Sequence, residues 1–205
     1  MVLDVAGSTP VTHPIIMRLQ RNSVGCIFRR GRIFSCVIFY GRIITAGLLV
    51  DKIVSRSELM AVREDLRKSG LRVVFTNGCF DLIHRGHVEM LVEARSFGDA
   101  LIVGLNSDEG VRALKGQNRP LFSQEDRAVL LSAFDCISYI CIFDEKSVES
   151  LVCALIPDVL VKGGDYSEQD VIGREVVMSN GGRVEIMSLR PDTSTTQLIE
   201  KIERG

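Results

Sequence analysis

The chain has 205 residues, 46% hydrophobic and 25% charged, which excludes a disordered or fibrous protein and leaves room for one well-cored domain plus an appendage. A net charge of −1 excludes a simple polybasic nucleic-acid binder, and no Trp with only 6% aromatics leaves little for a base-stacking platform. The charge is uneven: residues 1–50 hold six Arg, no Lys and one acid, Asp4, for +5, whereas residues 51–205 hold 19 Lys and Arg against 25 Asp and Glu, for −6.

The composition shift sets the main boundary near Asp51. Before it, IFSCVIFY and IITAGLLV flank Gly41-Arg42 behind a basic stretch, superficially like a signal peptide. Arg42 interrupts the apolar run, at about 2.5–3.5 kcal/mol near a bilayer centre. Residues 1–50 are therefore expected to be a poorly ordered extension, or the product of a start codon assigned too early, rather than a membrane anchor. Six Cys without a Cys-x-x-Cys pair argue against structural zinc and predict reduced thiols in a cytoplasmic protein.

After Asp51 the pattern becomes regular. SRSELMAVREDLRKSG places Leu59, Val62 and Leu66 at helical spacing, with Ser57 as N-cap and Gly70 as stop. LRVVFTNG is a buried strand, HVEMLVEARSFGD a helix, ALIVGLNSD a second strand and EGVRALKG a short helix. Ser123-Gln-Glu-Asp126 is a capping-box start for EDRAVLLSAF. ISYICIF is a third strand, KSVESLVCALI a helix ending at Pro157, and DVLVKGG a fourth strand. Ser167 opens a helix closing at Asn180-Gly181-Gly182; RVEIMSL is a fifth strand and STTQLIEKIER a last helix.

Alternating strands and helices predict a Rossmann-like three-layer α/β/α sandwich with a parallel sheet, occupying residues 51–205. Ligands in such sheets bind beyond the carboxyl ends of the strands. Polar residues follow the apolar runs there: Thr76-Asn77-Gly78, Asn106-Ser107-Asp108, Lys162-Gly163-Gly164-Asp165, and Asp192 to Thr196.

The most informative segment is TNGCFDLIHRGHVEML, residues 76–91. It matches neither the dinucleotide fingerprint nor the P-loop. His84 and His87 flank Gly86 where a helix begins, so a phosphate can approach the bare backbone and meet free N–H groups, with two imidazoles beside it. A metal site is the competing reading, but a closed one lacks an obvious fourth ligand, and no metal is assigned. Both histidines beyond residue 50 lie in this one segment, which favours phosphate.

GCFDLIHRGH resembles the His-x-Gly-His signature of the nucleotidyltransferase superfamily. With LVKGGDY, SNGGRVEIM and STTQLIEKI in the same order, residues 51–205 are most similar to the adenylyltransferase domain of bacterial ADP-heptose synthesis enzymes. The resemblance implies transfer of AMP from ATP to D-glycero-β-D-manno-heptose 1-phosphate, with Mg²⁺ held largely by ATP. It implies that His84, His87 and Lys115 act on the phosphates. Thr76, Asn77, Gly78, Cys79, Phe80, Gly86, Lys162 and Gly163 would shape the nucleotide site, and Ser194, Thr195 and Thr196 form a second anion site at a helix start. Asn106, Arg119 and Asp165 would meet the sugar phosphate, Asp81 would hold the loop, and Arg127 would hold phosphate or anchor that loop.

The pattern departs from the superfamily at Asp192, where a Gly is usual, and Arg190 falls one position from the usual Arg. The partners expected are small molecules, with no nucleic acid and no membrane, and a homodimer is compatible with the sequence. A cytidylyltransferase acting on glycerol phosphate or another phospho-alcohol, and a nucleotide-sensing module without activity, are the alternatives.

Overall fold

A computed structural model describes residues 51–145, 147–164 and 167–187, four short strands between positions 28 and 44, and positions 195, 199 and 204. The chain divides into two compact units, 1–47 and 48–205. In the first, β1 (Phe28–Arg29) pairs antiparallel with β2 (Arg32–Ile33), and β3 (Val37–Phe39) with β4 (Arg42–Ile44). Among the described residues no helix is long and apolar enough to cross a membrane.

The second unit runs α1 (Arg56–Lys68), β5 (Val73–Gly78), α2 (Arg85–Ser96), β6 (Ala100–Asn106), α3 (Asp108–Lys115), α4 (Gln124–Ser132), β7 (Tyr139–Phe143), α5 (Glu149–Leu155), β8 (Val159–Gly163), a 3₁₀ turn (Glu168–Asp170), α6 (Arg174–Ser179) and β9 (Arg183–Met187). Its five strands are all parallel, in the order β7-β6-β5-β8-β9. The chain builds outward from β5 to β7 and then returns to the other side of β5 with β8, so the strand order reverses between β5 and β8. That reversal opens the crevice in which doubly wound sheets bind ligands.

Both faces of the sheet are covered, which explains why its strands are apolar runs rather than alternating ones. Val74, Leu101, Val103, Ile140 and Val161 pack with Leu91 and Ala94 of α2 and Ala128 and Leu131 of α4. On the other face Val73, Phe75, Ile102 and Leu160 pack with Leu59 of α1, Leu151 and Leu155 of α5, and Val177 of α6. The expected α/β/α sandwich is the architecture observed.

Three local features differ from expectation. The cap of α1 is Ser55, not Ser57: Ser55 accepts from the Glu58 N–H, and Glu58 accepts from the Ser55 N–H at 2.9 Å. The three-residue spacing of a capping box decides between the two serines. At Ser123 only half of the box forms, because the shorter Asp126 takes the Ser123 hydroxyl rather than the backbone N–H. The helix expected from Ser167 to Asn180 is broken into the 3₁₀ turn and α6, with Gly173 between them at φ +90°. The last expected helix lies mostly outside the described residues.

Candidate active site

β5 ends in Thr76-Asn77-Gly78, and the chain then turns sharply into α2. Phe80 takes a left-handed backbone, φ +46°, and is buried. Such strain persists in a bulky residue only where surroundings enforce it. Here the ring lies against Gly78, where a Cβ would meet it at 3.0 Å, and its centroid is 5.2 Å from that of His87.

His84 is the N-cap of α2, and His87 lies one turn on; their imidazoles stack, with centroids 3.8 Å apart. The His84 N–H donates to His87 Nδ1 at 3.4 Å, while His84 Nδ1 is buried without a hydrogen-bond partner. Burial pushes His87 down to about 4, reinforced by His84, and burial lowers His84 as well. At neutral pH the pair is therefore uncharged. The first turn of α2 carries no acid, so its positive end is left for an external anion.

Across the strand reversal, Lys162 of β8 donates to Asn77 Oδ1 of β5 at 2.6 Å. Burial lowers the Lys162 ammonium, and the nearby Cys79 pulls it the other way. Asn77 faces Gly104 on β6, where a Cβ would lie 3.2 Å from the Asn77 Cβ and 2.7 Å from the Phe75 ring.

The loop between α3 and α4 is tied to this segment by two buried charges. Asp81, 2% exposed, accepts from Arg119 Nε at 2.5 Å, from the Leu121 N–H at 2.8 Å and from the Phe122 N–H at 3.2 Å. Arg127, 0% exposed, donates to the Cys79 carbonyl (2.6 Å), the Phe122 carbonyl (3.1 Å) and Asp108 Oδ1 (2.8 Å). With all three nitrogens engaged and no exposed surface, its geometry is that of a loop anchor, not of a phosphate ligand. Lys115 closes α3 and is exposed, and its charge reaches Cys79. Burial raises the Cys79 thiol, with the Lys115 and Arg127 charges opposing that shift.

The strand end (Thr76 to Phe80), the turn with His84, Gly86 and His87, and Lys162-Gly163 are thus gathered at one sheet edge. Thr195 joins them, donating to the Leu82 carbonyl at 3.3 Å. Asn106 is buried one strand away at the end of β6, beside a cavity of about 440 Å³ lined by Asp108, Arg112, Gln124 and Asp144 among others. Arg119 faces Asp81 rather than open space. Asp165, Arg190, Asp192, Ser194 and Thr196 lie outside the described residues. The sequence reading missed Gly104, for which an isolated Gly within an apolar strand was the available signal, and it placed Asp108 at a strand end without its tie to Arg127.

The model of the cytidylyltransferase-like family matches residues 75–201, which span the whole of this edge. The chain belongs to that family. It is 58% identical over 136 residues to bifunctional protein HldE of Geobacter sulfurreducens, covering 66% of this chain and 28% of that one. It is 51% identical over 152 residues to the HldE protein of Pelobacter propionicus, covering 74% and 31% respectively. The chain therefore spans about 30% of the length of these curated relatives. Among solved structures it resembles the lipopolysaccharide core biosynthesis protein from Thermoplasma volcanium, with TM-score 0.50 and 25% identity over 59% of this chain and 98% of that one. Pantoate-beta-alanine ligase from Francisella tularensis shares the fold, with TM-score 0.50 and 16% identity over 75% and 79%. The family resemblance read from GCFDLIHRGH is borne out.

Proposed function

We propose that this chain transfers AMP from ATP to D-glycero-β-D-manno-heptose 1-phosphate, releasing pyrophosphate and giving ADP-heptose. The observation that carries this reading is the uncharged His84–His87 stack at the open, acid-free start of α2, with a buried imidazole nitrogen lacking a partner. Buried polar atoms are normally satisfied, so the orphan fits a ligand oxygen. Kinship with the HldE proteins and the likeness to a lipopolysaccharide core biosynthesis protein supply the sugar-phosphate class.

The acceptor is already a phosphate anion, so the site needs no general base. Its work is to position two phosphates and stabilise charge on the reacting phosphorus and the departing pyrophosphate. His84 and His87 donate to phosphate oxygens, and Gly86 and the α2 N–H groups take the same anion. Lys115 reaches the phosphates from the end of α3, and Ser194 to Thr196 hold the tail of ATP. Asp81 and Arg127 fix the loop that carries Arg119. Cys79 and Phe80 shape the nucleotide pocket through their backbone, and Asn106 and Asp165 bind the sugar phosphate.

No group of three or more His, Cys, Asp or Glu able to hold a metal occurs among the described residues. A Mg²⁺ ion would be carried mainly by ATP oxygens and would offset phosphate charge. The described cysteines are free thiols, in keeping with a cytoplasmic enzyme that meets ATP there.

The test is pyrophosphate release from each of the four nucleoside triphosphates, with and without heptose 1-phosphate. ATP with the heptose phosphate should give the highest kcat/KM. The family's cytidylyltransferase-like description favours a second reading, CTP with glycerol 3-phosphate. A higher kcat/KM for that pair would replace the first.

A further inference from the structure

The geometry points to Lys162 as the cation shared by the two reacting phosphates, contacting an oxygen of the ATP α-phosphate and one of the sugar 1-phosphate at once. This rests on the adenylyl-transfer reading and adds to it the group that lets two anions meet.

In the step, an oxygen of the sugar phosphate bonds to the α-phosphorus as the bond from that phosphorus to the oxygen leading to the β-phosphate breaks. The electron pair leaves with pyrophosphate, and no proton moves. Reactant repulsion is the obstacle, so a full positive charge is needed where the two phosphates approach.

The other groups at this edge do not supply it. The His84–His87 rings stack at 3.8 Å, a spacing at which two imidazolium charges repel, and burial holds His87 neutral. Arg119 faces Asp81, and Arg127 spends its nitrogens on Asp108 and two carbonyls. Lys115 meets the phosphates from an exposed helix end, not from the strand ends where the order reverses.

Lys162 differs from each. Among the described residues no carboxylate lies within ion-pair distance of its ammonium; the partner recorded is the neutral Asn77 amide at 2.6 Å. A half-buried cation without a counter-ion is costly in a fold that has nothing to gain from it. An incoming anion removes that cost. The residue also stands at the right place, next to the carboxyl end of β8 beside β5, where the strand order reverses and ligands bind. The Asn77 hydrogen bond holds the ammonium in place before substrate arrives. Its attraction is greatest when the phosphates are closest, and it therefore raises kcat more than it tightens ATP.

The experiment uses the full chain and measures pyrophosphate release with ATP, Mg²⁺ and heptose 1-phosphate, calorimetric ATP affinity, and Tm. Lys162→Met should lower kcat about 10²–10³-fold, the scale of a lost transition-state donor, with ATP affinity changed less than about fivefold by the same differential-binding argument and with Tm retained or raised. Lys162→Ala should regain rate with added ethylammonium, and Lys162→Arg should retain more rate than Lys162→Met. A Lys162→Met kcat within about threefold of the wild type, or a loss matched by equal loss of ATP affinity, overturns the role. So does Lys162→Ala activity that ethylammonium does not raise. A wild-type chain inactive with sugar 1-phosphates overturns the adenylyl-transfer reading itself, whereas wild-type activity persisting in Lys162→Met overturns this inference alone.

Discussion

Arg127 Nη1 donates to the Cys79 carbonyl at 2.6 Å across 48 residues of sequence, joining the first helix turn of α4 to the loop that follows β5. The same guanidinium holds Phe122 and Asp108, so one side chain sets the distance between the nucleotide loop, the start of α3 and the loop between α3 and α4.

Arg127→Met should therefore cost both stability and rate. Removing it leaves the part-buried Cys79 and Phe122 carbonyls and a half-buried carboxylate without this donor, a loss of about 3 kcal/mol. Small displacements at a reacting centre are expensive, and kcat should fall roughly tenfold or more. Lysine cannot replace the fork, so Arg127→Lys should recover only part of either quantity. Urea unfolding and pyrophosphate release on the same samples check both; an active, stable Arg127→Met would remove the anchor role.

Asp81 makes the reciprocal tie. Its carboxylate is the shared acceptor for Arg119 and for two backbone N–H groups. Asp81→Ala strands a guanidinium in a largely buried position and should destabilise by about 3–5 kcal/mol. Asp81→Asn keeps an acceptor and should lose less. Hydrogen exchange at Leu121 and Phe122 should rise in the alanine variant, and unchanged protection there would count against the tie.

The histidine pair is tested by kinetics paired with melting. His84→Ala or His87→Ala should lower kcat about 10²–10³-fold, by analogy with a removed oxyanion-hole donor. ATP affinity should drop less, since Gly86, the start of α2 and Lys162 remain. Variants that melt normally and keep wild-type kcat would show that the pair does not touch the reacting phosphates.

His87 also gives stability a pH dependence with a definite sign. Its pKa is about 4 in the fold and near 6.5 when unfolded. Between those values the unfolded chain takes up a proton that the folded chain refuses, so stability is full above about 6.5 and is lost as pH falls toward 4. His84, lowered in the same direction, adds to the slope. Urea midpoints at pH 7.5, 6 and 5 should fall more steeply for the wild type than for His87→Asn; parallel lines would contradict the burial of the neutral ring.

A chain of residues 51–205 should fold and remain active, because the strands and helices of the sandwich all lie beyond Asp51. Circular dichroism and pyrophosphate release compare it with the full chain. Loss of folding on removing residues 1–50 would assign that segment a structural part.

Much of this architecture was legible beforehand, because apolar runs with turn signals at their ends specify buried parallel strands whatever their neighbours. The motif at 76–91 was legible for a related reason: its chemistry is local, carried by residues within one turn of a helix. What could not be read depends on strand order. Nothing in the spacing of Asn77 and Lys162, 85 residues apart, says that β8 returns to lie beside β5. Arg127 was legible only as a choice between phosphate ligand and loop anchor, because its burial and its three acceptors, which decide for the anchor, depend on the folded loops. Ser55 was a missed opportunity: the three-residue spacing to Glu58 was present in the sequence.

Gly104 carries a consequence for how this site can change. It touches no ligand in any reading, yet it lies directly across from Asn77, and a methyl group there presses on the Asn77 Cβ and the Phe75 ring. Asn77 in turn orients Lys162. Position 104 is thus a control point one strand removed from the chemistry: an alanine there would displace the amide and swing the ammonium without altering a single residue that meets substrate. Screens that vary only the residues facing the crevice would pass over it.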